Sequence, residues 1–328
     1  MCTDSNRRTP VTAATGSGAI AHIWRRTFDD SEEQAGCVES LFPQRYFQVG
    51  AGRFCGEMTS INLDGVRLFR ERVNRRLIQE GMMNVANISW IQGRTGLFRC
   101  NGLGLEPEGV MSYGARAEFE VVLDACELIG VAIAPEALTS HGEEAAAPSA
   151  RVSGGLRFVS RVLAAPLCRA VSRALFTADV SGSAQMPCWQ ALRQEILSLA
   201  LPIVNLPEAA DLGRSRQTHA RVVRSAKRAI NSDLTHAAGI SDLCRVIGVS
   251  RRNLFYAFDA VLGLSPHQYL KTVRLHAARH ALKHLGPDKG RISDLAWDCG
   301  FSKPSQFAAD YKRRFGELPS ETTPCSPS

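Results

Sequence analysis

The feature that most constrains this chain is a segment that occurs twice near its carboxyl end. Residues 240–250 recur as residues 292–302, and both copies begin Ile-Ser-Asp-Leu and end Gly-x-Ser. After one inserted residue the correspondence continues, with Leu254, Phe258 and Gly263 matching Phe307, Tyr311 and Gly316. A short amphipathic helix, a tight turn at glycine, a serine N-cap and a second helix make up a helix-turn-helix. Two such copies predict a protein that contacts adjacent stretches of DNA.

The second helix of the first copy presents an arginine where base edges are read. With Leu254 taken as buried and about 100° of rotation per residue, Arg252, Tyr256 and Asp259 point outward. Arg252 is the outward residue near the helix N-terminus, and its planar guanidinium matches guanine O6 and N7. We predict that this copy reads bases, with Arg251 closer to the phosphates. Its predicted DNA-binding residues are Arg251, Arg252, Asn253, Phe255 and Tyr256.

The second copy has a chemically poorer outward face. With Phe307 as the buried reference, Ser305, Ala309 and Lys312 point outward, and Pro304 suits the first turn of a helix. Lysine and arginine side chains around this helix, Arg314 among them, are suited to phosphates, so we predict that the second copy mainly anchors the protein. Its predicted DNA-binding residues are Lys303, Pro304, Ser305, Gln306, Ala308, Ala309, Lys312 and Arg313.

A helix is predicted between the copies, from Ser265 as N-cap and Pro266 at its first position to about Leu285. Its length of roughly 31 Å is close to the roughly 34 Å of one DNA turn, so it would place the two copies in successive major grooves. Four cations make it basic, and three histidines follow at intervals of four. No carboxylate or cysteine joins those histidines, so a metal site is not favoured. These residues are Lys271, Arg274, Arg279 and Lys283, and His276, His280 and His284.

The charge of the chain is concentrated in the part that holds the repeat. The whole chain has 39 Lys and Arg against 32 Asp and Glu, whereas residues 221–328 have 17 against 9. Such a local excess of positive charge suits phosphate contacts. The ten cysteines show no metal-ligand spacing, and neither a secretory signal nor an apolar run of membrane-spanning length is present. We therefore expect a cytoplasmic protein without a cofactor, metal or membrane partner.

Short β-like segments dominate residues 53–134, separated by Gly, Asn, Asp and Pro. Many short strands with little helix between them favour an antiparallel barrel or jelly roll, which can enclose a small ligand. The predicted strands are Arg53–Leu63, Val66–Val73, Arg75–Ile78, Val85–Ile91, Gly96–Cys100, Glu118–Leu123 and Leu128–Ile133. The candidate pocket aromatics are Phe54, Phe69, Trp90, Phe98 and Phe119.

Helical periodicity begins at Leu156 and continues to Leu175, and a second helix is predicted around residues 192–199. These helices either cover an open edge of the barrel or pair with another subunit. The expected organisation is an α+β chain. It comprises a flexible tail at 1–20, an effector-binding or dimerisation domain at 21–200, a linker at 201–218 and a double helix-turn-helix domain at 219–322.

The two copies, the connecting helix opened by Gly263-Leu264-Ser265-Pro266, and the closing Phe315-Gly316-Glu317-Leu318-Pro319-Ser320 resemble the DNA-binding domain of the AraC/XylS family of bacterial transcription regulators. The resemblance covers about 100 residues. Within the family the chain is most similar to regulators of ethanolamine utilisation, through Ser250-Arg251-Arg252-Asn253-Leu254 and Gln306-Phe307-Ala308-Ala309-Asp310-Tyr311. A further similarity in the barrel region runs from Gly52-Arg53-Phe54-Cys55-Gly56-Glu57 to Leu68-Phe69-Arg70-Glu71.

This resemblance implies a transcription activator that binds promoter DNA, responds to a small-molecule effector, contacts RNA polymerase and forms a homodimer. It places base contacts at the positions of Arg252, Phe255, Tyr256, Pro304, Ser305, Ala308 and Ala309. Aromatic residues and alanines stand here where the family has polar readers, so the operator sequence cannot be transferred from relatives. The effector is not implied either.

Two alternatives remain open. The amino-terminal domain would serve only for protein interaction if it has no effector. A cupin-type metalloenzyme would need two or three histidines and a glutamate converging inside the barrel. Before residue 200 the chain has only His22 and His141, both outside the predicted strands, so an enzyme is not expected.

Overall fold

The computed structural model describes residues 11–13, 21–38, 42–93, 96–104, 109–141, 155–181, 188–206, 214–232, 239–285 and 289–322. The predicted tail therefore lies almost wholly outside the described residues, as do 207–213 of the predicted linker. No described helix is long and apolar enough to cross a membrane.

The amino-terminal half is built from two antiparallel sheets. The eight-stranded sheet has the order β1-β2-β4-β5-β12-β7-β10-β13, and the five-stranded sheet has the order β3-β6-β11-β8-β9. The strands are β1 Val11–Ala13, β2 Ala21–Phe28, β3 Gln44–Gln48, β4 Gly56–Asn62, β5 Val66–Val73, β6 Leu77–Met82, β7 Ala86–Gln92, β8 Phe98–Cys100, β9 Leu103–Gly104, β10 Gly109–Tyr113, β11 Glu118–Leu123, β12 Cys126–Ile133 and β13 Leu156–Ser160.

The predicted barrel is wrong in one respect, since the described strands do not close into a single barrel. No described strand pair joins one sheet to the other, and the sheets instead pack face to face over an apolar layer. Side chains alternate between faces, so Phe69 and Leu123 fill this layer while neighbouring Leu68 and Val122 point away from it. The antiparallel pairing of the predicted strands is confirmed, and the structure divides them between two sheets.

The seven predicted strands are confirmed, with boundaries shifted by a few residues. Leu156 and Val159, which were assigned to a helix, lie instead in β13, whose five residues pair with β10. Over so short a segment, apolar residues three apart fit a helix or a strand. Pairing with β10 makes this segment a strand. The described strands β1, β2, β3, β9 and β10 were not predicted from the sequence.

Four helices accompany the sheets: α1 Ser31–Gly36, α2 Pro135–His141, α3 Arg161–Ser181 and α4 Trp189–Val204. The buried faces of α3 and α4 pack on the outer face of the eight-stranded sheet, where Leu167, Val171 and Ile196 join Leu68 and Val131 in one apolar cluster. The two helices therefore cover a sheet face rather than a barrel edge. Their pairing with another subunit stays a prediction.

The carboxyl-terminal part is helical, as expected. Its helices are α5 Arg214–Ser232, α6 Ile240–Ile247, α7 Arg251–Leu262, α8 Pro266–Leu285, α9 Lys289–Asp298 and α10 Pro304–Phe315, followed by a 3-10 turn at Pro319–Glu321. The predicted span of the connecting helix, α8, is confirmed. The short helices α6 and α9 each turn into the next helix at a glycine with positive φ, 68° at Gly248 and 77° at Gly300.

The helical part packs on the outer face of the five-stranded sheet. Phe47 of β3, Ile78 of β6 and Val122 of β11 share one apolar cluster with residues of α5, α7 and α8. The molecule is thus layered in the order α3 and α4, eight-stranded sheet, five-stranded sheet, carboxyl-terminal helices. This packing fixes which surfaces of α7 and α10 remain accessible.

Candidate nucleic-acid interface

The first helix pair holds one face of α7 in solvent. Gly248 adopts the left-handed conformation that ends α6, and the Ser250 hydroxyl caps α7 by accepting from the Asn253 amide at 3.2 Å. Leu254 and Phe258 are fully buried, as the periodicity predicts. In α6, Leu243 is also buried and Ile247 packs against the same cluster, whereas Val246 is 72% exposed.

Arg252 and Tyr256 form a pair on the exposed face. The Arg252 guanidinium lies 5.3 Å from the centre of the Tyr256 ring and donates a hydrogen bond of 3.3 Å to its hydroxyl. Both side chains are exposed, so the pair is ordered without being covered. A cation over an aromatic face one turn away loses less side-chain freedom when it meets a ligand.

The remaining predicted residues of α7 surround this pair. Arg251 is exposed and lies over the Phe255 ring at 5.4 Å. Phe255 is half-buried and makes an edge contact with His267, with 5.8 Å between ring centres. Asn253 is half-buried. The structure therefore brings Arg251, Arg252 and Tyr256 to one exposed end of α7 and sets Phe255 and Asn253 at its margin.

The second helix pair, α9 and α10, has the same turn and buried positions as α6 and α7 but different exposed side chains. Pro304 begins α10, while Phe307 and Tyr311 are fully buried. Ser305, Gln306 and Ala309 are exposed, and Ala308 is half-buried. The Gln306 amide is directed along the helix, donating to Asp310 Oδ2 at 3.3 Å. This face offers small side chains and no exposed pair of the Arg252 and Tyr256 type.

The cations around α10 differ in their availability. Lys303 and Lys312 are exposed, and Arg313 is exposed although it pairs with Asp310. Arg314 donates to the Gln48 carbonyl at 2.6 Å, and burial together with neighbouring Arg313 lowers its pKa to about 10. Arg314, predicted as a phosphate contact, is thus directed to the amino-terminal domain in this structure.

The cations of α8 are also engaged within the protein. Arg279 Nε lies 2.7 Å and Lys283 Nζ 2.8 Å from Oδ2 of buried Asp30. Burial would raise the pKa of Asp30, but these two charges hold it well below its ordinary value. Lys271 pairs with Asp310 at 3.0 Å and Arg274 donates to the Gly300 carbonyl at 2.9 Å. Of the four cations that make this helix basic, Arg279 and Lys283 are therefore directed to Asp30 and not to solvent.

His276, one of the three spaced histidines, is buried between aromatic rings. Its ring centre lies 5.4 Å from Phe47 and 5.3 Å from Phe315, and its nitrogens face Glu32 and the Gln48 carbonyl. His276 thus packs between the two domains. Within the described ranges no group of three or more His, Cys, Asp or Glu has a geometry for a metal.

The C-terminal ends of α7 and α10 form hydrogen bonds with the amino-terminal half of the molecule, whereas their N-terminal ends face away from it. Arg99 of β8 donates to the carbonyls of Asp259 and Ala260 at the end of α7. The Gly52 amide donates to the Arg313 carbonyl at 2.9 Å, and Gln48 donates to the Arg314 carbonyl at 2.7 Å. Arg251 and Arg252 lie at the opposite, amino-terminal end of α7, and Lys303, Ser305 and Gln306 lie at that of α10, whereas exposed Lys312 and Arg313 lie in the last turn of α10.

Comparison with known proteins agrees with this geometry. Residues 243–323 match the family model described as a helix-turn-helix domain. A segment of 100 residues is 32% identical to the probable thc operon regulatory protein of Rhodococcus erythropolis, and covers 30% of this chain and 30% of that protein. A segment of 111 residues is 29% identical to the XylDLEGF operon transcriptional activator 3 of Pseudomonas putida, and covers 33% of this chain and 34% of that protein. The chain thus matches about a third of the length of these relatives.

A solved structure is similar to about a third of the chain. The probable AraC family transcriptional regulator from Rhodopseudomonas palustris is 36% identical over 31% of this chain and 94% of that chain, with a TM-score of 0.29. The curated relatives are named as transcription regulators rather than as enzymes. Residues 243–323 accordingly match a helix-turn-helix domain, and about a third of the chain is similar to proteins named as regulators of transcription.

Proposed function

We propose that the protein is a sequence-specific DNA-binding transcription activator. In this proposal α6 with α7 and α9 with α10 are two helix-turn-helix motifs, and α8 joins them. The observation that carries the proposal is the exposed Arg252 and Tyr256 pair at the free end of α7. It combines a guanidinium suited to guanine with an aromatic ring that orders it.

The two motifs have different roles. The first reads bases through Arg252 and its neighbours Asn253, Phe255 and Tyr256, with Arg251 closer to the phosphates. Phe255 offers apolar contact and Tyr256 a hydroxyl. The second anchors the protein on phosphates. Its residues are Lys303, Pro304, Ser305, Gln306, Ala308, Ala309, Lys312 and Arg313. This division rests on the exposed residues at the amino-terminal end of α10, where Gln306 is the one long neutral polar side chain and Lys303 is a cation suited to phosphate.

The domain organisation expected from the sequence completes the proposal. Residues 21–200 form an effector-binding or dimerisation domain, 201–218 a linker and 219–322 the DNA-binding domain, with 1–20 as a tail. The similarity to ethanolamine-utilisation regulators suggests a subgroup without naming the effector. RNA polymerase is the expected partner on the promoter, and the expected location is the cytoplasm.

The test compares Arg252→Ala with Lys312→Ala on a site found by footprinting and on random DNA of equal length. Loss of a bidentate base contact costs about 1–3 kcal/mol on the cognate site, so Arg252→Ala should weaken cognate binding far more than random binding. Lys312→Ala should weaken both alike and reduce the salt slope by about 1. Equal losses on both DNAs from Arg252→Ala would refute base reading by this residue.

A second candidate concerns the amino-terminal domain, which would act only in protein interaction. It is favoured by three exposed apolar side chains on α3, with 85% exposure for Val162, 56% for Leu163 and 67% for Phe176. A second copy of the chain is the expected partner. Sedimentation velocity tests this candidate by comparing the whole chain with the double variant Val162→Ser and Phe176→Ser. A dimer through this face must dissociate in the double variant, and a monomeric native chain would contradict the candidate.

A further inference from the structure

The two helix pairs of the carboxyl-terminal part have separate apolar cores. Leu254 and Phe258 of α7 belong to a cluster that includes α5, α6 and the first half of α8. Phe307 and Tyr311 of α10 belong to another cluster, which includes α9 and the second half of α8. Among the described residues, α8 is the one helix that contributes to both clusters. A long helix can bend, so α8 alone leaves the angle between α7 and α10 weakly fixed.

The last turns of α7 and α10 are held by the amino-terminal half at equivalent positions. The Ala260 carbonyl of α7 accepts a hydrogen bond from Arg99 at 2.5 Å, and the Arg313 carbonyl of α10 accepts from the Gly52 amide at 2.9 Å. Ala260 and Arg313 correspond to each other in the repeat. The last carbonyls of a helix have no partner within it. Donors from outside therefore attach both helix ends to the amino-terminal half.

A row of four cross-strand neighbours runs across the five-stranded sheet between these attachments. Arg99 of β8 lies opposite Val122 of β11. Val122 lies opposite Ile78 of β6, which lies opposite Phe47 of β3. This spacer row crosses three strand spacings, roughly 14 Å in all. Its length is fixed, because backbone hydrogen bonds join each strand to the next and Val122, Ile78 and Phe47 are buried.

The spacer row contacts a different helix pair at each end. At one end Arg99 holds α7 through the carbonyls of Asp259 and Ala260. At the other end the Phe47 ring lies 5.4 Å from the ring centre of His276 in α8, and His276 lies 5.3 Å from Phe315 at the end of α10.

Gln48, which follows Phe47 in β3, strengthens the second attachment. Its side-chain amide donates to the Arg314 carbonyl at 2.7 Å, and its own carbonyl accepts from Arg314 Nη1 at 2.6 Å. The sheet thus provides a second connection between α7 and α10, independent of α8.

Buried ion pairs keep the helices on this sheet. Lys227 of α5 pairs with Glu80 of β6 and Glu120 of β11. Opening such a pair is costly, because each buried charge would lose its partner. The N-terminal ends of α7 and α10 face away from the sheet, so docking leaves them open to DNA. We therefore expect the docked arrangement to persist on DNA.

We propose that the five-stranded sheet fixes the relative position of α7 and α10, and that Arg99 is a positioning residue that restricts the protein to one spacing between its two DNA segments. This inference rests on the proposed function. One added base pair moves the second segment by about 3.4 Å and rotates it by about 35°. A protein whose two reading helices are held at both α8 and the sheet cannot follow that change without breaking contacts.

The test uses duplexes derived from a footprinted site, with one base pair inserted or deleted between the segments that the two helix pairs protect. Fluorescence anisotropy measures their binding by the whole chain. The native chain should prefer the original spacing at least about tenfold, the equivalent of about 1.4 kcal/mol. Arg99→Met keeps an unbranched side chain without the donor, and should reduce this preference to about threefold or less while leaving affinity for the original site within about threefold.

Two further variants separate positioning from loss of charge or of stability. Gln48→Met loosens the attachment of α10 instead of α7 and should relax the spacing preference as well, which also covers an Arg99→Met chain that fails to fold. Arg25→Met removes an exposed arginine of β2 in the other sheet, where it pairs with Glu57, and should keep the full preference.

The outcomes are distinct. A native chain that binds all spacings equally, or folded Arg99→Met and Gln48→Met chains that keep the full preference, would overturn the positioning role of the sheet while DNA binding itself stands. A native chain that binds none of these duplexes would refute the proposed function, and this inference with it.

Discussion

The helices α7 and α10 share a frame and differ at nearly every exposed position. Phe258 and Tyr311 are buried at equivalent places, and Gly263 and Gly316 end the helices with φ of 64° and 78°. At the free ends, Arg252 corresponds to Ser305 and Tyr256 to Ala309. The frame is thus fixed by packing and turn geometry, whereas the exposed residues are free to differ. One frame can therefore serve both for reading bases and for anchoring.

The largest expected effect concerns the shared frame. Phe307→Ala removes a fully buried ring and should lower the free energy of unfolding by about 3–5 kcal/mol. Phe258→Ala should cost about as much, because Phe258 is equally buried. Urea unfolding followed by tryptophan fluorescence measures both, with exposed Ser305→Ala as the control. Phe307 corresponds to Leu254 and Phe258 to Tyr311, so the two rings test each helix separately. A cost for one ring several kcal/mol below the other would show that the two helices are not held equally by their buried rings.

A smaller effect separates the two turns. Gly248 and Gly300 both have positive φ, which costs a non-glycine residue about 1–3 kcal/mol. An added Cβ at Gly248 would meet no atom within 4 Å, whereas at Gly300 it would lie 2.8 Å from the Arg274 guanidinium carbon. Gly300→Ala should therefore destabilise the protein more than Gly248→Ala in the same urea titration. An equal loss in both variants would show that Arg274 moves aside freely.

The smallest effect transfers the reading pair to the anchoring helix. Ser305→Arg combined with Ala309→Tyr places a guanidinium one turn from a phenol, as in α7. We expect tighter DNA binding and a new base preference of about 1 kcal/mol or more at the site that α10 faces. Selection from a randomised DNA library measures it, and Ser305→Arg alone is the control for added charge. Tighter binding without a new preference would mean that α10 does not face base edges.

The sequence predicts α7, α8 and α10 well, because caps and left-handed glycines are local signals. Ser250, Pro266, Pro304 and Gly316 each stand where the corresponding helix begins or ends. The residues on the exposed faces follow from helical geometry alone. Their contacts with DNA remain predictions.

The docking of the two domains could not be predicted, since it depends on partners far apart in the chain. Arg279 and Lys283 belong to a basic helix in the sequence, but their partner Asp30 lies 249 residues from Arg279. The helix α1 was missed as well, although Asp30 followed by Glu32 and Glu33 is a local N-cap signal. The inward position of Glu71 in β5 could also have been predicted, because strand alternation places it on the same face as inward Phe69.

The docked sheet also changes the charge that the DNA-binding part presents. Lys227 is neutralised by Glu80 and Glu120, and Asp30 neutralises Arg279 and Lys283. A fragment cut in residues 207–213 would keep the three cations and lose Asp30, Glu80 and Glu120, although Glu317 would still pair with Arg279. It would also expose the apolar surface that meets Phe47. Affinities measured on such a fragment would overstate nonspecific DNA binding by the whole protein. In the whole protein, the carboxylates of Asp30, Glu80 and Glu120 compete with DNA phosphates for these cations.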